Sequence, residues 1–211
     1  MTLKPPPNPF PPINCTILPA GTILHRTHAS SFRPAQFNPC LGQPSRFAPF
    51  TNPSGACVPT LYAATTLGAA AFETIFHDIP AEAAFKTIRL NVLTARAVSR
   101  IEARRDLRLA NLFTPDLKAW RLQRRDLIET AKSAYPQTAR WAQAVHAADR
   151  SVDGLIWTSR QCDPDRCTML FGDRVLETDF AVTERLEVGT APALLLELRR
   201  IGRRAGIVVI S

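Results

Sequence analysis

The chain has 211 residues, of which 45% are hydrophobic, and this is enough apolar material to bury the core of one domain. Its longest apolar runs, such as residues 193–196 and 207–210, are too short to cross a bilayer, and residues 1–15 lack the apolar stretch of a signal peptide, so we expect a cytoplasmic protein without a membrane partner. The basic residues behind the net charge of +8 are spread over several segments without a nucleic-acid-binding motif, so we expect no direct nucleic-acid binding.

Residues 1–19 contain seven prolines. Proline fixes φ and cannot donate a backbone hydrogen bond, so this stretch is predicted to be an extended arm with no core of its own. We expect the arm to lie along the rest of the chain, residues 20–211, which is predicted to form a single domain. A ligand for a proline-recognition module is the alternative.

The first half of the domain is predicted to contain two strands around a long loop. Residues 21–28 are a predicted strand, residues 30–54 a polar, proline-rich connection, and residues 57–64 a second strand. Thr65 or Thr66 is a suitable N-cap for a helix that continues to about His77. The connection combines two arginines with four phenylalanines, which suits a ligand with a phosphate and a planar ring.

The second half mixes helices and strands without regular alternation. Strands are predicted at 85–98, 154–160, 168–171, 177–185 and 207–210, and helices at 114–133, from 136 to just before 153, and 192–201. This mixture favours an α+β domain over a doubly wound parallel sheet.

Common catalytic and cofactor motifs do not occur in the sequence. GxGxxG, GxxxxGK[ST] and GxSxG are absent, and the four histidines show no metal-binding spacing, so we expect neither a bound nucleotide cofactor of those kinds nor a metal. The five cysteines are odd in number and scattered, which in a cytosolic chain favours free thiols.

The stretch Leu61–Asp78 carries the clearest candidate site. Tyr62 ends a predicted strand, Glu73 lies on the following predicted helix, and the residues between them are small enough for a ligand to approach closely. A carboxylate on an apolar helix is either a functional group or a buried group with a partner, because an unpaired buried charge is costly. Arg26, Arg46 and Ser159 are further polar residues at or near the ends of predicted strands.

In this order, these residues resemble the RES-domain family, bacterial toxins of toxin–antitoxin systems. The resemblance covers roughly residues 20–185 and is carried by HR at 25–26, SRF at 45–47, LYAA at 61–64, AAAFE at 69–73, and the blocks TARWAQAVHAADRSVDGLIWTSRQ and MLFGDR within 138–174. Arg46, Glu73 and Ser159 match the arginine, glutamate and serine that name the family. The link from Arg46 to Tyr62, FAPFTNPSGACVPTL, is longer than the family's GRWNPxG-like turn, and Arg33 is the alternative arginine.

The resemblance implies an ADP-ribosyltransferase-like fold and an enzyme that consumes NAD⁺. On this basis Glu73, Arg46 and Tyr62 are candidate catalytic residues, and Arg26 and Ser159 candidate substrate-binding residues. NAD⁺ is then a substrate and inorganic phosphate a co-substrate in phosphorolysis, with no separate cofactor. The implied partner is an Xre-type antitoxin that blocks the cleft and forms an oligomer with the toxin. Hydrolysis of NAD⁺, ADP-ribosylation of a protein, and a non-catalytic basic module for an acidic partner or nucleic acid are the alternatives.

Overall fold

The computed structural model describes residues 3–211, so residues 1 and 2 of the predicted arm lie outside the described part of the chain. Its strands are β1 (Cys15–Leu18), β2 (Ile23–Ala29), β3 (Thr60–Ala64), β4 (Thr87–Arg89), β5 (Arg96–Ala103), β6 (Leu107–Asn111), β7 (Gly154–Thr158), β8 (Arg166–Phe171), β9 (Phe180–Glu187) and β10 (Val208–Ile210). Its α-helices are α1 (Leu67–Phe72), α2 (Leu90–Thr94), α3 (Thr114–Ala119), α4 (Arg124–Leu127), α5 (Tyr135–Ala148) and α6 (Pro192–Arg204).

An eight-stranded mixed sheet is the centre of the fold. Its strand order is β1-β6-β7-β8-β3-β2-β5-β9, with β6 and β7 parallel and the other neighbours antiparallel, and β4 and β10 form a separate parallel pair. The predicted α+β class, a mixed sheet core with flanking helices, is confirmed. No helix within residues 3–211 has the length and apolar character needed to span a bilayer.

The two faces of the sheet are buried in different apolar clusters. Adjacent residues of β7 show the alternation, because Leu155 and Trp157 join a cluster with residues of α3, α4 and α5, whereas Ile156 joins a cluster with Leu61 and Leu24. A third cluster lies between α1, α6 and β5 and contains fully buried Phe76 and Leu198. This cluster therefore holds α1, the helix that follows β3, against α6 and β5.

The start of β7 is fixed by Asp153 and Gly154. Both carboxylate oxygens of Asp153 accept hydrogen bonds from the Arg105 guanidinium, at 2.9 and 3.1 Å, and one also accepts from the Arg108 backbone N–H at 2.8 Å. A Cβ on Gly154 would overlap the backbone carbonyl of Met169 in β8. The DGLIWTSR block is therefore needed to bring β7, and Ser159 at its end, to this position.

The proline-rich arm packs against the domain. Trp141 Nε1 donates to the Lys4 carbonyl at 2.9 Å and Trp120 Nε1 donates to the Pro12 carbonyl at 3.2 Å. The Phe10 ring lies against both indoles, with ring centroids 5.0 and 5.9 Å away. The sequence reading missed β1, which pairs with β6, because one short strand beside seven prolines gives little signal.

Three predicted elements were wrong in extent. The predicted strand 85–98 is β4, then α2, then the start of β5, because the chain turns into a helix at Leu90 and an alternating pattern does not show such a turn. The predicted helix 114–133 ends at Ala119, and Arg121, two residues later, adopts a left-handed φ of 59°. The helix predicted to reach His77 ends at Phe72. The strand β6 was missed.

The prediction that all cysteines are free thiols was wrong for two of them. Cys40 and Cys57 form a disulfide with Cα atoms 6.4 Å apart, whereas Cys15, Cys162 and Cys167 are free. Their pairing follows from the path of the backbone, because Asn38 and Thr60, just outside the two cysteines, form an antiparallel bridge and Thr51 pairs with Cys57. Residues 41–56, including Arg46, lie within the resulting closed loop.

Candidate active site

A cavity of about 440 Å³ lies where β2, β3, the end of α1 and the start of α5 meet the long connection. Ligand cavities commonly measure about 300–1,000 Å³. Four of the five predicted site residues line it, and the fifth, Ser159, lies directly behind Glu73. Residues from distant parts of the chain therefore meet at one place.

Glu73 is at the end of α1 rather than within it, as its C-cap. The helix begins at Thr66, whose hydroxyl accepts from the Ala69 N–H at 3.1 Å and donates to Asp165 at 2.7 Å. This cap fixes α1 against the loop before β8. Because α1 is only a short run of mostly alanine residues, Glu73 at its end lies in the cavity wall. The sequence prediction that Glu73 lies on the helix is thus corrected by one position.

The Glu73 carboxylate is held on both oxygens. Oε1 accepts from the Ser159 hydroxyl at 2.7 Å and from the Arg160 backbone N–H at 2.8 Å. Oε2 faces Arg46 Nη1 at 3.5 Å. The side chain is 12% exposed, so the carboxylate is paired and lines the cavity at the same time.

Arg46 is a buried cation with unused donors. Its side chain is 5% exposed, and its Nε and Nη2 atoms have no hydrogen-bond partner within residues 3–211. The guanidinium carbon lies 5.8 Å from the centre of the Tyr135 ring. The alternative arginine, Arg33, lies outside the cavity lining, pairs with Glu177 at 2.7 Å and is 66% exposed. Arg46, not Arg33, is therefore the arginine that faces Glu73.

Tyr62 joins β3 to the long connection. Its hydroxyl lies 3.0 Å from the Ser45 hydroxyl and accepts from the Phe47 N–H at 3.3 Å. Burial raises the Tyr62 pKa to about 12, although hydrogen bonds from Ser45 and Phe47 oppose that shift. Tyr62 is therefore a neutral phenol at physiological pH, and it places the residues on either side of Arg46.

The two predicted substrate-binding residues differ in their surroundings. Ser159 has no exposed surface and donates its hydroxyl to Glu73, while its oxygen accepts the N–H groups of Gln161 and Cys162 at 3.2 and 3.1 Å. Arg26 lines the cavity, and its Nη1 donates to the carbonyls of Arg33 and Pro34 at 3.2 and 2.7 Å.

Burial lowers the Arg26 pKa to about 10, which leaves the side chain cationic at neutral pH. Together, Arg26 and Arg46 provide two cations beside one carboxylate in a concave site. Such an arrangement can bind an anionic group and hold a carboxylate against a carbon that becomes positively charged.

Several cavity residues were missed by the sequence reading. Ser45 supports Tyr62, and His28 accepts at Nε2 from the Ser99 hydroxyl at 2.9 Å while Nδ1 donates to the Ala29 carbonyl. Tyr135 and His77 also line the cavity. Ser45 was adjacent to Arg46 in the matching SRF block, but no spacing rule connects Tyr135 with His77. Within residues 3–211, no group of three or more metal-ligating side chains comes together.

The sequence model of the RES domain family matches residues 23–188, which is most of the chain. The chain belongs to the RES domain family. This confirms the resemblance read from the sequence. No curated protein sequence matches the chain.

A solved structure shows the same fold. This RES-domain chain is similar to a chain of the crystal structure of the M. tuberculosis MbcT–MbcA toxin–antitoxin complex, with a TM-score of 0.60 and 17% sequence identity. The similarity covers 87% of this chain and 92% of that chain. At this identity the comparison establishes the fold of the RES domain.

Proposed function

We propose that this RES-domain protein is the toxin of a toxin–antitoxin pair and that it cleaves the nicotinamide–ribose bond of cytoplasmic NAD⁺. Membership of the family and the fold shared with a chain of a toxin–antitoxin complex support the biological class. The observation that carries the chemistry is the Glu73–Arg46 pair in the cavity, in which a carboxylate is rigidly held and a buried guanidinium keeps two donors unused.

Glu73 suits bond cleavage at the ribose. Breaking the nicotinamide–ribose bond gives the sugar oxocarbenium character, the same demand that glycosidases meet with carboxylates. A carboxylate fixed by two hydrogen bonds needs little rearrangement when that positive charge develops, so it stabilises the transition state more than the ground state. Nicotinamide leaves as a neutral base and needs no proton.

Arg46 and Arg26 suit the anionic parts of the substrates. A buried donor without a partner costs about 1–3 kcal/mol, so a phosphate oxygen that satisfies Arg46 would recover that cost on binding. We assign the two arginines to the pyrophosphate of NAD⁺ or to an attacking inorganic phosphate. Ser159, behind Glu73, acts on the substrate through the carboxylate that it holds.

The test is nicotinamide release from NAD⁺ by the purified protein, with and without inorganic phosphate. Wild type should release nicotinamide, and Glu73→Gln, which keeps the shape but removes the charge, should lose at least about 100-fold in rate. Glu197→Gln is the matched control, because Glu197 forms a surface ion pair with Arg200 and does not line the cavity. Equal, negligible release by wild type and Glu73→Gln would sink the proposal.

The same assay separates the reaction types. A product that contains phosphate indicates phosphorolysis, free ADP-ribose indicates hydrolysis, and label on a protein indicates ADP-ribosylation. Expression of wild type should arrest growth, expression of Glu73→Gln should not, and co-expression of an Xre-type antitoxin from the adjacent gene should relieve the arrest. Toxicity that Glu73→Gln retains would separate the biological effect from NAD⁺ cleavage.

A further inference from the structure

A chain of hydrogen bonds leads away from the cavity next to Arg46. The Tyr135 hydroxyl lies 3.2 Å from His77 Nε2, and His77 Nδ1 lies 2.7 Å from Asp78 Oδ1. Lys132 Nζ lies 2.7 Å from the same Asp78 oxygen. Because a carboxylate only accepts, the Nδ1 proton belongs to His77, and Nε2 of the neutral ring is free to accept the Tyr135 proton.

These four residues form a wall between two cavities. Tyr135, His77, Asp78 and Lys132 line the cavity that contains Glu73, and they also line a second cavity of about 520 Å³ on the other side. Tyr135 is buried and stands beside the Arg46 guanidinium, whereas the His77 side chain is 19% exposed. The series of hydrogen bonds from Tyr135 to Asp78 therefore begins at the reacting site and ends near solvent.

Charged groups face this chain from both sides. Glu73 and Arg46 lie in the first cavity, and Glu82, Lys86 and Arg160 line the second. The Gln161 amide also donates to the His77 backbone carbonyl at 3.2 Å, which fixes the segment that carries the ring.

The Asp78 carboxylate, at the far end of this series of hydrogen bonds, is kept ionised. Burial disfavours the charge on Asp78, but hydrogen bonds from Lys132 and His77 outweigh burial and lower its pKa. An ionised Asp78 orients the imidazole and stabilises it once it becomes positive. Neither Tyr135, His77 nor Asp78 is used by the carboxylate chemistry assigned to Glu73.

We infer that Tyr135, His77 and Asp78 form a proton relay that deprotonates the nucleophile in the cleavage of NAD⁺, an inference that rests on the proposed function. The nucleophile is water, because hydrogen phosphate already carries anionic oxygens that attack without losing a proton. Its oxygen forms a bond to the ribose carbon as the bond to nicotinamide breaks, and the electron pair of that bond leaves with nicotinamide. The nucleophile's proton passes to the Tyr135 oxygen, and the Tyr135 proton passes to His77 Nε2. The imidazolium, paired with Asp78, then returns a proton to solvent.

In this step Tyr135 is the catalytic residue, because it meets the nucleophile, and His77 and Asp78 act through it. General base catalysis contributes about 10²–10⁴-fold. Tyr135→Phe and His77→Ala are therefore expected to slow cleavage by water at least about 100-fold, while they leave cleavage supported by inorganic phosphate or azide close to the wild-type rate. Azide is an anion that attacks without losing a proton, so a merely structural loss would slow both reactions equally.

Asp78→Asn tests the far end of the relay. At a side chain 64% exposed and therefore compatible with folding, it should slow cleavage by water and spare cleavage supported by azide, because Asp78 acts through His77. Glu197→Gln, which removes the acid of a surface ion pair with Arg200, is the matched control and should keep the wild-type rate with both nucleophiles.

The outcomes distinguish the relay from the proposed function. If wild type and Glu73→Gln release nicotinamide equally slowly, both ideas fall together. If wild type cleaves NAD⁺ but Tyr135→Phe, His77→Ala and Asp78→Asn match its rate with water, or if wild type cleaves NAD⁺ only when phosphate is present, only the relay is overturned. Equal losses with water, phosphate and azide also overturn it, because they indicate a structural role.

Discussion

The Ser159 hydroxyl donates a 2.7 Å hydrogen bond to Oε1 of Glu73, across 86 positions of sequence. The two residues come from the end of β7 and the end of α1, elements that touch only because β3 and β8 pair between them. Ser159 also accepts two backbone N–H groups, so its own position is fixed. Ser159 and Glu73 therefore form one unit, in which the serine orients the carboxylate.

Ser159→Ala tests this unit. The Arg160 N–H still holds Oε1, so one of the two hydrogen bonds to this oxygen is lost. A hydrogen bond to a charged group contributes about 1.5–3 kcal/mol, so nicotinamide release is expected to fall about 10- to 100-fold in kcat with little change in KM. Ser133→Ala, at an exposed serine, is the control. A rise in KM with unchanged kcat would instead place Ser159 against the substrate.

Arg46→Lys tests the assignment of the buried cation. Lysine keeps the charge but lacks the planar fork that binds two phosphate oxygens at once. The KM for NAD⁺ is expected to rise about tenfold or more, because one hydrogen bond to a charged group is worth about 1.5–3 kcal/mol. Arg33→Lys should leave KM unchanged, since Arg33 is 66% exposed and paired with Glu177. The reverse result would restore Arg33 as the functional arginine.

Tyr62→Phe has a defined pH signature. Loss of the contacts with Ser45 and Phe47 should cost about 1 kcal/mol at pH 7. The pKa of Tyr62 is raised to about 12 in the folded protein, against 10.0 for an ordinary tyrosine, so the unfolded chain ionises first. The contribution of Tyr62 to the free energy of unfolding is therefore fully present below about pH 10 and is lost as the pH rises toward 12. Tyr62→Phe has no phenol to ionise, so its free energy of unfolding does not show this loss.

The measurement is denaturant unfolding of both proteins from pH 7 to pH 12. The stability gap between wild type and Tyr62→Phe should narrow above about pH 10. Parallel stability curves would show that the Tyr62 hydroxyl ionises in the folded protein as it does in the unfolded chain.

Local patterns predicted more of this molecule than long-range contacts did. The strand–turn–helix around Tyr62 and Glu73 followed from small residues and a threonine cap, and the structure places both side chains at one cavity. The burial of Ser159 behind Glu73 was not predictable, because a polar residue after a strand looks the same whether it faces a ligand or a carboxylate. The helix at Leu90 was hidden for a similar reason, since alternation does not show where the chain turns.

The contacts that the long connection makes could not be predicted from the sequence either. Pairing of Cys40 with Cys57 depends on how residues 41–56 fold back, and neither composition nor spacing specifies that path. The same applies to Tyr135, which is the first residue of α5 and meets His77 in the segment that follows α1. Residue types near the site were thus readable from the sequence, whereas their mutual contacts required the fold.

Reduction of the Cys40–Cys57 disulfide should destabilise the protein and the site together. The bond closes a loop with a sequence separation of 17, and a loop of that size is worth about 3 kcal/mol in the unfolded-chain entropy model. The expected result is a lower unfolding midpoint with reductant, and the same lower midpoint for Cys40→Ser/Cys57→Ser in either condition. Cys15→Ser, at a free thiol, should respond to reductant as wild type does.

Gly154→Ala should be among the most destabilising single changes in the sheet. A Cβ at this position meets the Met169 carbonyl and the Leu170 Cα, both backbone atoms that cannot move without separating β7 from β8. We expect a loss of about 2–3 kcal/mol in the free energy of unfolding, in the range found for overpacked cores. Gly68→Ala is the matched control, because a Cβ there lies 3.4 Å from the Cys162 sulfur in ordinary contact and alanine favours the helix α1. Denaturant unfolding of the two variants measures the difference, and equal stabilities would contradict the close approach of β7 and β8 on which the position of Ser159 depends.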